Sequence, residues 1–445
     1  TGCISDRDGG FPRLLDSVAH GLRCPASLRR TLLAKNLGKP SLWVIICDSW
    51  YNRTAPWYDR CRTREIPIMT TYKYAYSDAE GWAGIARGLV DGLLSGEDLT
   101  HEDCESLLGF LYVTDVISED MGSILTYLRQ TTGIDDWVGA TGIGVCATGV
   151  EFFDRPAAVA MAARLPEDGF FVFPAILDEI EELTSEAHTW IDRSSSPFGI
   201  VHGDPNNNQS GALIEGLGVM TSGFLVGGLT ASRSAQPQIA GDITGGGVSG
   251  VLFRPSVEVA TGLTQGCLPV GPSHVVSDCL DNVIFGLDGK SALDVFKDDV
   301  GELLSRDLKR AAGYIHTAFP IEGSYTGDYV VRNLVGIDPD RGRLAVGDDI
   351  QAGERVMFVR RDPKSAEEDL VAMLENLKKR LPGEPRGGIY FSCIARGPNM
   401  FGEEGKEMSV VRDILGDVPL VGFFGNGEIS NNWVYGYTGV LALFL

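Results

Sequence analysis

The sequence predicts an α/β protein whose layered sheets are flanked by helices and are built from internally repeated β-α-β-β units in two packed domains. Two observations predict this fold class. Short apolar runs of β-branched and aromatic residues, which are typical of buried strands, end in turns rich in Gly and polar residues. Between these runs, apolar residues recur at helical spacing, as Met408, Val411 and Leu415 do near the C-terminus.

The last unit of the chain shows this pattern most clearly. Residues 388–397 (GIYFSCIARG) and 419–429 (PLVGFFGNGEI) predict two strands that end in polar turns. Residues 403–415 predict the helix between them, and the apolar run 439–444 predicts a closing strand.

Similar units occur earlier in the chain. One begins with a predicted strand at 109–113, and a looser copy begins with a strand at 198–201. A Val-Gly pair marks the same point of each unit, at Val138, Val226 and Val421. Self-similarity over this length predicts supersecondary units that bury one shared sheet core.

Between the second and third units the pattern changes. The turn-rich stretch 264–274 predicts a boundary, so we expect an N-terminal domain at 69–270 and a C-terminal domain at 271–445. The elements expected around this boundary are a mobile Gly-rich segment at 236–247, a hairpin at 274–288, a helix at 291–315, antiparallel strands at 329–336, 343–346 and 355–359, and an amphipathic helix at 365–381.

Residues 1–68 differ from the rest of the chain in charge. They carry 11 Lys and Arg against 6 Asp and Glu, whereas the whole chain carries 38 against 60. They also hold four of the 9 cysteines, and the first Met is Met69. We expect this segment to be either a disordered basic arm or a non-native extension upstream of a start at Met69.

The composition disfavours two classes of partner. A formal net charge of −22 disfavours nucleic acid, since phosphate binding needs a basic face. It equally disfavours an anionic membrane surface, and no apolar run approaches the roughly 20 residues that span a bilayer, so we expect no membrane insertion. The cysteines are odd in number and form no CxxC pair, which indicates reduced thiols and a cytoplasmic location.

No strong catalytic or cofactor motif occurs, so we expect no cofactor and no resident metal. The sequence has no GxSxG elbow, P-loop or HExxH motif. His202 and Asp204 lie at alternate positions of one strand end and could share a metal ion, although loop capping by Asp204 is favoured. Cys393 lies three residues before Arg396, whose charge would lower the thiol pKa as a nucleophile needs.

Arg396 and Glu428 are the main candidate ligand-binding residues, because each follows one of two successive strands of the last unit. Arg396 would hold a carboxylate through two hydrogen bonds. Glu428 or Asn426 would take an amine, an arrangement that suits a zwitterion such as an amino acid. A structural ion pair between Arg396 and Glu428 is the alternative. The other residues assigned to this site are Ser392, Cys393, Gly425 and Asp204.

The strings YFSCIARG, PLVGFFGNGEI and GYTGVLALF resemble hallmark sequences of the C-terminal part of the FIST family. GVSGVLF, GLTQGCLPVGP and DNVIFGLDGKSALDV are similar to the middle of standalone bacterial members, and the resemblance covers about residues 80–445. It implies a sensory module that binds a small ligand, with amino acids proposed as ligands, and it implies no established catalytic residue. Some relatives join the module to an F-box, a histidine kinase or a chemotaxis signalling region. Because none of these is recognisable in this sequence, we expect a separate signalling protein as the output partner.

We therefore expect a cytoplasmic signal-transduction protein that binds an amino acid or a similar small metabolite. Two other classes stay open. One is a hydrolase or transferase that uses Cys393 or a metal at His202 and Asp204. The other is a protein-interaction scaffold that has no small ligand.

Overall fold

The computed structural model describes residues 71–96, 105–305, 307–311, 313–321 and 329–445. The expected N-terminal extension, residues 1–68, lies outside this part of the chain. The helices are α1 Gly81–Leu93, α2 Met121–Thr132, α3 Ser185–Asp192, α4 Ser210–Thr221, α5 Ala292–Ser305, α6 Leu308–Ala311, α7 Pro363–Arg380, α8 Pro398–Phe401 and α9 Lys406–Leu415. Two short 3-10 helices occupy Asp115–Asp120 and Ile180–Glu182.

The strands fall into four stretches of the chain. The first holds β1 Tyr72–Ser77, β2 Glu105–Thr114, β3 Asp136–Gly142, β4 Gly144–Ala147, β5 Val150–Phe153, β6 Ala158–Pro166 and β7 Phe170–Ile176. The second holds β8 Phe198–Gly203, β9 Phe224–Leu229, β10 Gln238–Ala240, β11 Asp242–Thr244, β12 Val248–Phe253 and β13 Val259–Thr264. The third holds β14 Leu268–Pro269, β15 His274–Leu280, β16 Val283–Leu287, β17 Lys290–Ser291, β18 Ile315–Pro320, β19 Tyr329–Arg332, β20 Leu334–Asp338, β21 Arg343–Val346 and β22 Arg355–Arg360. The fourth holds β23 Gly387–Cys393, β24 Leu420–Gly425, β25 Glu428–Ser430, β26 Trp433–Tyr435 and β27 Gly439–Phe444.

Three six-stranded sheets each contain one copy of the repeated unit. Sheet I has the order β1-β6-β2-β3-β10-β11, sheet II the order β26-β25-β9-β8-β12-β7, and sheet III the order β13-β27-β23-β24-β4-β5. In each sheet the two central strands are parallel: β2 with β3, β8 with β9, and β23 with β24. Helices α2, α4 and α9 lie in the connections between these strands, as a parallel pair requires. The predicted α/β class, with helix-flanked sheets and repeated units, is confirmed.

The three units exchange hairpins in a cycle. After β3, the chain leaves sheet I and adds β4 and β5 to sheet III, next to β24. After β9, it adds β10 and β11 to sheet I, next to β3. After β24, it adds β25 and β26 to sheet II, where Glu428 pairs with Gly228 of β9. Each sheet is therefore completed by a hairpin from another unit.

Three backbone hydrogen bonds join the units where the chain changes sheets. They run from Ile143 N–H to Phe424 O, from Ala231 N–H to Thr141 O, and from Asn426 N–H to Leu229 O. The Val-Gly pairs also occupy equivalent places. At Gly139, Gly227 and Gly422, an added Cβ would lie 1.8 Å from a carbonyl oxygen of the neighbouring parallel strand. Glycine at these three positions is therefore a steric requirement of the repeat.

The three sheets share one hydrophobic core, and helices cover their outer faces. Phe110 of sheet I, Ile200 of sheet II and Phe391 of sheet III all belong to this core. Separate clusters lie beneath the helices: α1 and α2 pack on sheet I, α3 and α4 on sheet II, and α7 and α9 on sheet III. This arrangement explains why the parallel strands are apolar on both faces.

A fourth, antiparallel sheet is inserted between the second and third units. Its order is β19-β18-β22-β15-β16-β21-β20, with β14 beside β22 and β17 beside β16. It packs with α5 around its own core. A small cluster that includes Cys267, Tyr329 and Val359 contacts Tyr437, which lies in the turn before β27. The fourth sheet therefore borders the turns of the third unit.

Two predicted elements differ from the structure. The expectation of a mobile Gly-rich segment at 236–247 is wrong, because this segment forms the hairpin β10–β11 that completes sheet I. The helix expected at 291–315 is too long. Helix α5 ends at Ser305, and Ile315 begins strand β18, since pairing with β22 overrides the helical spacing. Across the described residues, no helix combines the length and apolar character needed to cross a lipid bilayer.

Candidate functional site

Arg396 lies in the turn that follows β23 and is completely buried. Its Nε donates a hydrogen bond to Glu407 Oε1 at 2.8 Å. The next residue, Gly397, has φ = 52°, a left-handed conformation that favours glycine and turns the chain into α8. Nη1 and Nη2 of Arg396 have no hydrogen-bond partner. Two donors of a buried cation are therefore free to bind an anionic group.

Glu407, in the first turn of α9, holds Arg396 in place. Its carboxylate accepts hydrogen bonds from Tyr390 Oη at 2.7 Å, Ser392 Oγ at 3.2 Å, Arg396 Nε at 2.8 Å and Gly397 N–H at 2.9 Å. Burial lowers the pKa of Arg396, but the neighbouring Glu407 charge more than offsets this and holds the pKa above its usual value. The guanidinium is therefore permanently charged, and its orientation is set by the hydrogen bond from Nε to Glu407.

Glu428, at the start of β25, is also completely buried. Its Oε2 accepts hydrogen bonds from the backbone N–H of Thr438 at 3.1 Å and from the Thr438 hydroxyl at 2.7 Å, while Oε1 has no partner. Burial raises the pKa of Glu428 to about 8, despite the hydrogen bonds from Thr438 and the Arg396 charge. Much of Glu428 is therefore protonated at neutral pH.

Arg396 and Glu428 approach one another at the end of β23 without forming an ion pair. Thr438, the partner of Glu428, accepts a hydrogen bond from the N–H of Cys393, three residues before Arg396. The Arg396 charge is close enough to lower the pKa of Glu428. The structural alternative of a direct ion pair is wrong, because within the described chain the carboxylate that pairs with Arg396 is Glu407. We call this pair of side chains, with their unpaired atoms, the Arg396–Glu428 site.

Two further residues assigned to the site support its walls. Ser392 is buried, and its hydroxyl donates to Glu407, which holds Arg396. Gly425 ends β24, and an added Cβ there would lie 2.4 Å from the carbonyl oxygen of Leu229. Ser392 therefore orients Glu407, and Gly425 allows the close approach of two backbones. The atoms without hydrogen-bond partners belong to Arg396 and Glu428.

The hydrogen bonds of two other assigned residues do not involve these unpaired atoms. The side chain of Asn426 is exposed, and its backbone N–H donates to Leu229. Asp204 follows β8, and its Oδ1 accepts a hydrogen bond from the N–H of Asn206 at 2.8 Å. This local turn is the loop capping that the sequence favoured for Asp204.

The geometry does not support the two enzymatic alternatives. Burial, and then the Glu428 charge, raise the pKa of the Cys393 thiol to about 12, so the expected lowering of this pKa is wrong. His202 lies in the shared core, with its Nε2 3.2 Å from Tyr112 Oη, and burial lowers its pKa to about 3. In the described part of the chain, no group of three or more His, Cys, Asp or Glu side chains is placed to hold a metal ion.

Glu428 gives the ligand-free protein a pH-dependent stability. The unfolded chain ionises this carboxyl near the ordinary glutamate pKa of 4.5, whereas the folded protein ionises it at about 8. The folded state therefore binds the extra proton, and the contribution of Glu428 to the free energy of unfolding falls as pH rises from about 5 to 8, by up to about 1.4 kcal/mol per unit. The buried His202 and His316, whose pKa values burial lowers, contribute a slope of the opposite sign below about pH 7. Urea unfolding at pH 5, 6, 7 and 8 measures this slope.

The isosteric variant Glu428→Gln isolates the contribution of this carboxyl, since Glu151, whose pKa burial raises to about 7, adds a slope of the same sign. We expect the slope of the free energy of unfolding against pH to be clearly less negative in Glu428→Gln than in the wild type. The exposed residue Glu403, replaced by Gln, should leave the slope unchanged. Equal slopes in the wild type and Glu428→Gln would contradict the buried, neutral state of Glu428.

Sequence comparisons place the chain among known proteins. The FIST N domain matches residues 107–290, and the FIST C domain matches residues 292–431. Uncharacterized protein Rv0628c of Mycobacterium tuberculosis is 31% identical over 330 residues, which cover 69% of this chain and 83% of that protein. Uncharacterized protein Mb0898c of Mycobacterium bovis is 31% identical over 397 residues, which cover 83% of this chain and 96% of that protein.

The matched regions adjoin near residue 291, at the start of α5, and the expected division near residue 270 stays a prediction. FIST domains are associated with sensory and signal-transduction roles. Both domains are found in order, and the relatives are covered over most of their length. The chain therefore belongs to the FIST family.

Proposed function

We propose that this protein is a sensor that binds a small zwitterionic metabolite, an amino acid, at the Arg396–Glu428 site. The α-carboxylate of the ligand accepts hydrogen bonds from Nη1 and Nη2 of Arg396. Its ammonium group donates to Oε1 of Glu428. The proposal requires Glu428 to lose its proton when the ammonium group binds.

One observation carries this proposal: a buried cation and a buried carboxyl lie near each other, and both have unpaired atoms. Buried polar atoms almost always have hydrogen-bond partners in folded proteins, because an unsatisfied group costs about 1–3 kcal/mol. Here Nη1 and Nη2 of Arg396 and Oε1 of Glu428 all lack one. A ligand with a carboxylate and an amine would satisfy all three atoms at once.

The cytoplasmic location and the signalling partner are part of the same proposal. The described cysteines Cys146, Cys267, Cys279 and Cys393 are all free thiols, which is consistent with a reducing compartment. The ligand would be reported to a separate signalling protein, because a sensor needs an output. Helices α7 and α9 cover sheet III, and α9 carries Glu407, which binds Arg396.

A panel of the common L-amino acids, each at saturating concentration, tests the proposal by thermal unfolding. A ligand at 100 times its Kd stabilises the folded state by about 2.7 kcal/mol, so for a chain of this size we expect Tm to rise by about 3 °C. Affinity should also increase between pH 6 and 8, because the ammonium group competes with the proton on Glu428. No shift with any member of the panel would argue for the interaction scaffold instead.

Two conservative variants locate the ligand. Arg396→Lys keeps the charge beside Glu407 but loses the two-pronged fork, and Glu428→Gln keeps the shape of the side chain but loses the carboxylate. We expect each to weaken binding at least about tenfold in calorimetric titration. The exposed Arg341, replaced by Lys, is the matched control and should bind normally. Unchanged affinity in both site variants would place the ligand elsewhere.

A further inference from the structure

We propose that the ligand of the Arg396–Glu428 site is an acidic amino acid, whose side-chain carboxylate contacts Arg361 and His316. This inference rests on the proposed function and names the class of ligand. It comes from a second set of unpaired polar atoms beside the first.

Arg361 is a half-buried cation without a carboxylate partner. It follows β22, and one of its terminal nitrogens, Nη2, donates to the carbonyl oxygen of Ala395, the residue before Arg396. Its Nε is buried and has no hydrogen-bond partner. In the described part of the chain, no Asp or Glu lies within ion-pair distance of Arg361. A guanidinium in this setting is an anion-binding group that lacks its anion.

His316 provides a second unpaired atom in the same place. The residue lies on β18, 92% buried, and its Nδ1 has no hydrogen-bond partner. Tyr437 joins the two groups, because its ring centroid lies 4.8 Å from that of His316 and 5.0 Å from the Arg361 guanidinium carbon. Burial lowers the pKa of His316 to about 4, so the ring is neutral near pH 7 and one of its nitrogens can donate a hydrogen bond.

Gly266 connects this second cluster to the first. A Cβ built at this position would lie 2.7 Å from Nη1 of Arg396 and 3.2 Å from the carbonyl oxygen of Tyr437. The same small residue therefore borders both the unpaired fork of Arg396 and the residue that contacts Arg361 and His316. Its φ of 65° is one that glycine adopts freely, so the turn brings Arg396 and Tyr437 this close to one residue without backbone strain.

Charge balance supports an anionic side chain. Glu407 compensates Arg396, whereas no described carboxylate compensates Arg361. A neutral amino acid would leave the Arg361 charge unmatched in a half-buried position. A ligand with two carboxylates and one ammonium group would place its ammonium group against ionised Glu428 and its second carboxylate against Arg361, so neither of these two charges would lack an opposite charge.

Calorimetric titration of the full chain with two isosteric pairs tests the inference: L-glutamate against L-glutamine, and L-aspartate against L-asparagine. We expect at least one acid to bind about tenfold or more tightly than its amide, as for hydrogen bonds to a charged group. Equal affinities, or tighter binding of the amides, would overturn the acidic assignment and leave the proposed function standing. Binding of none of the four, nor of any amino acid in the panel, would remove the proposed function.

The variant Arg361→Gln assigns the contact. It should weaken binding of the preferred acid at least about tenfold and change the affinity of the amide by no more than about twofold. The exposed Arg355, on the same strand β22, gives the matched control Arg355→Gln, which should bind like the wild type. Preserved preference for the acid in a folded Arg361→Gln protein would show that another group holds the second carboxylate. The acid-to-amide ratio of the unmodified chain decides the inference even where a variant does not fold.

Discussion

Replacing Glu407 with Gln is expected to lower the free energy of unfolding by about 3–5 kcal/mol. The carboxylate is fully buried and is the counter-charge of Arg396, which is also fully buried. Without it, the guanidinium would stay in the interior as an uncompensated charge. Three further donors, on Tyr390, Ser392 and Gly397, would lose an ionised acceptor as well. Chemical denaturation with urea at pH 7 measures the loss.

The control for this experiment lies on the same stretch of chain. Glu403 is exposed, so Glu403→Gln should change the free energy of unfolding by less than about 0.5 kcal/mol. A loss of less than about 1 kcal/mol in Glu407→Gln would show that Arg396 has another way to satisfy its charge, and would weaken the case for the whole site.

The second large effect is expected at Gly422. An Ala there would place its Cβ 1.8 Å from the carbonyl oxygen of Tyr390, in the middle of the parallel pair β23–β24. Because the obstacle is backbone, relief requires the two strands to move apart. We expect Gly422→Ala to destabilise the protein by about 3 kcal/mol or more, measured by urea unfolding or, for an insoluble product, by the yield of folded protein.

The other two repeated units offer the same substitution at equivalent glycines, and a helical glycine offers a control. Gly139 and Gly227 have the same 1.8 Å geometry, so their Ala variants should behave alike. In contrast, Gly211 in α4 has no atom within 4 Å of an added Cβ. Gly211→Ala should be neutral or stabilise by up to about 1 kcal/mol, as Ala does in helices. Tolerance of Ala at all three strand positions would mean that the units are not equivalent.

Elements whose signal is local could be predicted from the sequence. Gly439–Phe444 has the predicted bounds, and strands Gly387–Cys393 and Leu420–Gly425 lie at the starts of the predicted stretches 388–397 and 419–429. Their apolar patterns carry the whole signal, because these strands are buried on both faces. The hairpin formed by residues 236–247, and its pairing with β3, could not be predicted in this way. The segment becomes a hairpin only because the edge of β3, in another unit, offers hydrogen bonds to it.

In the candidate site, too, local features could be predicted from the sequence and long-range partners could not. Arg396 and Glu428 could be chosen because each follows a strand end in a Gly-rich turn, but their separate partners could not. Glu407 resembles the nearby exposed acids Glu403 and Glu404, and its position one turn before Val411 on the buried face of α9 was the available signal. Arg361 follows a strand of the inserted sheet, and no pattern in the sequence links it to the last unit.

Because neighbouring repeats complete one another's sheets, neither half of this chain is whole by itself. A cut between the two matched domains would take β25 and β26 away from β9, and β4 and β5 away from β24, leaving bare strand edges on both pieces. Such edges recruit other chains. Across the described residues, the repeats thus hold one another together, and a metabolite bound between Arg396 and Glu428 would connect sheet III directly with sheet II.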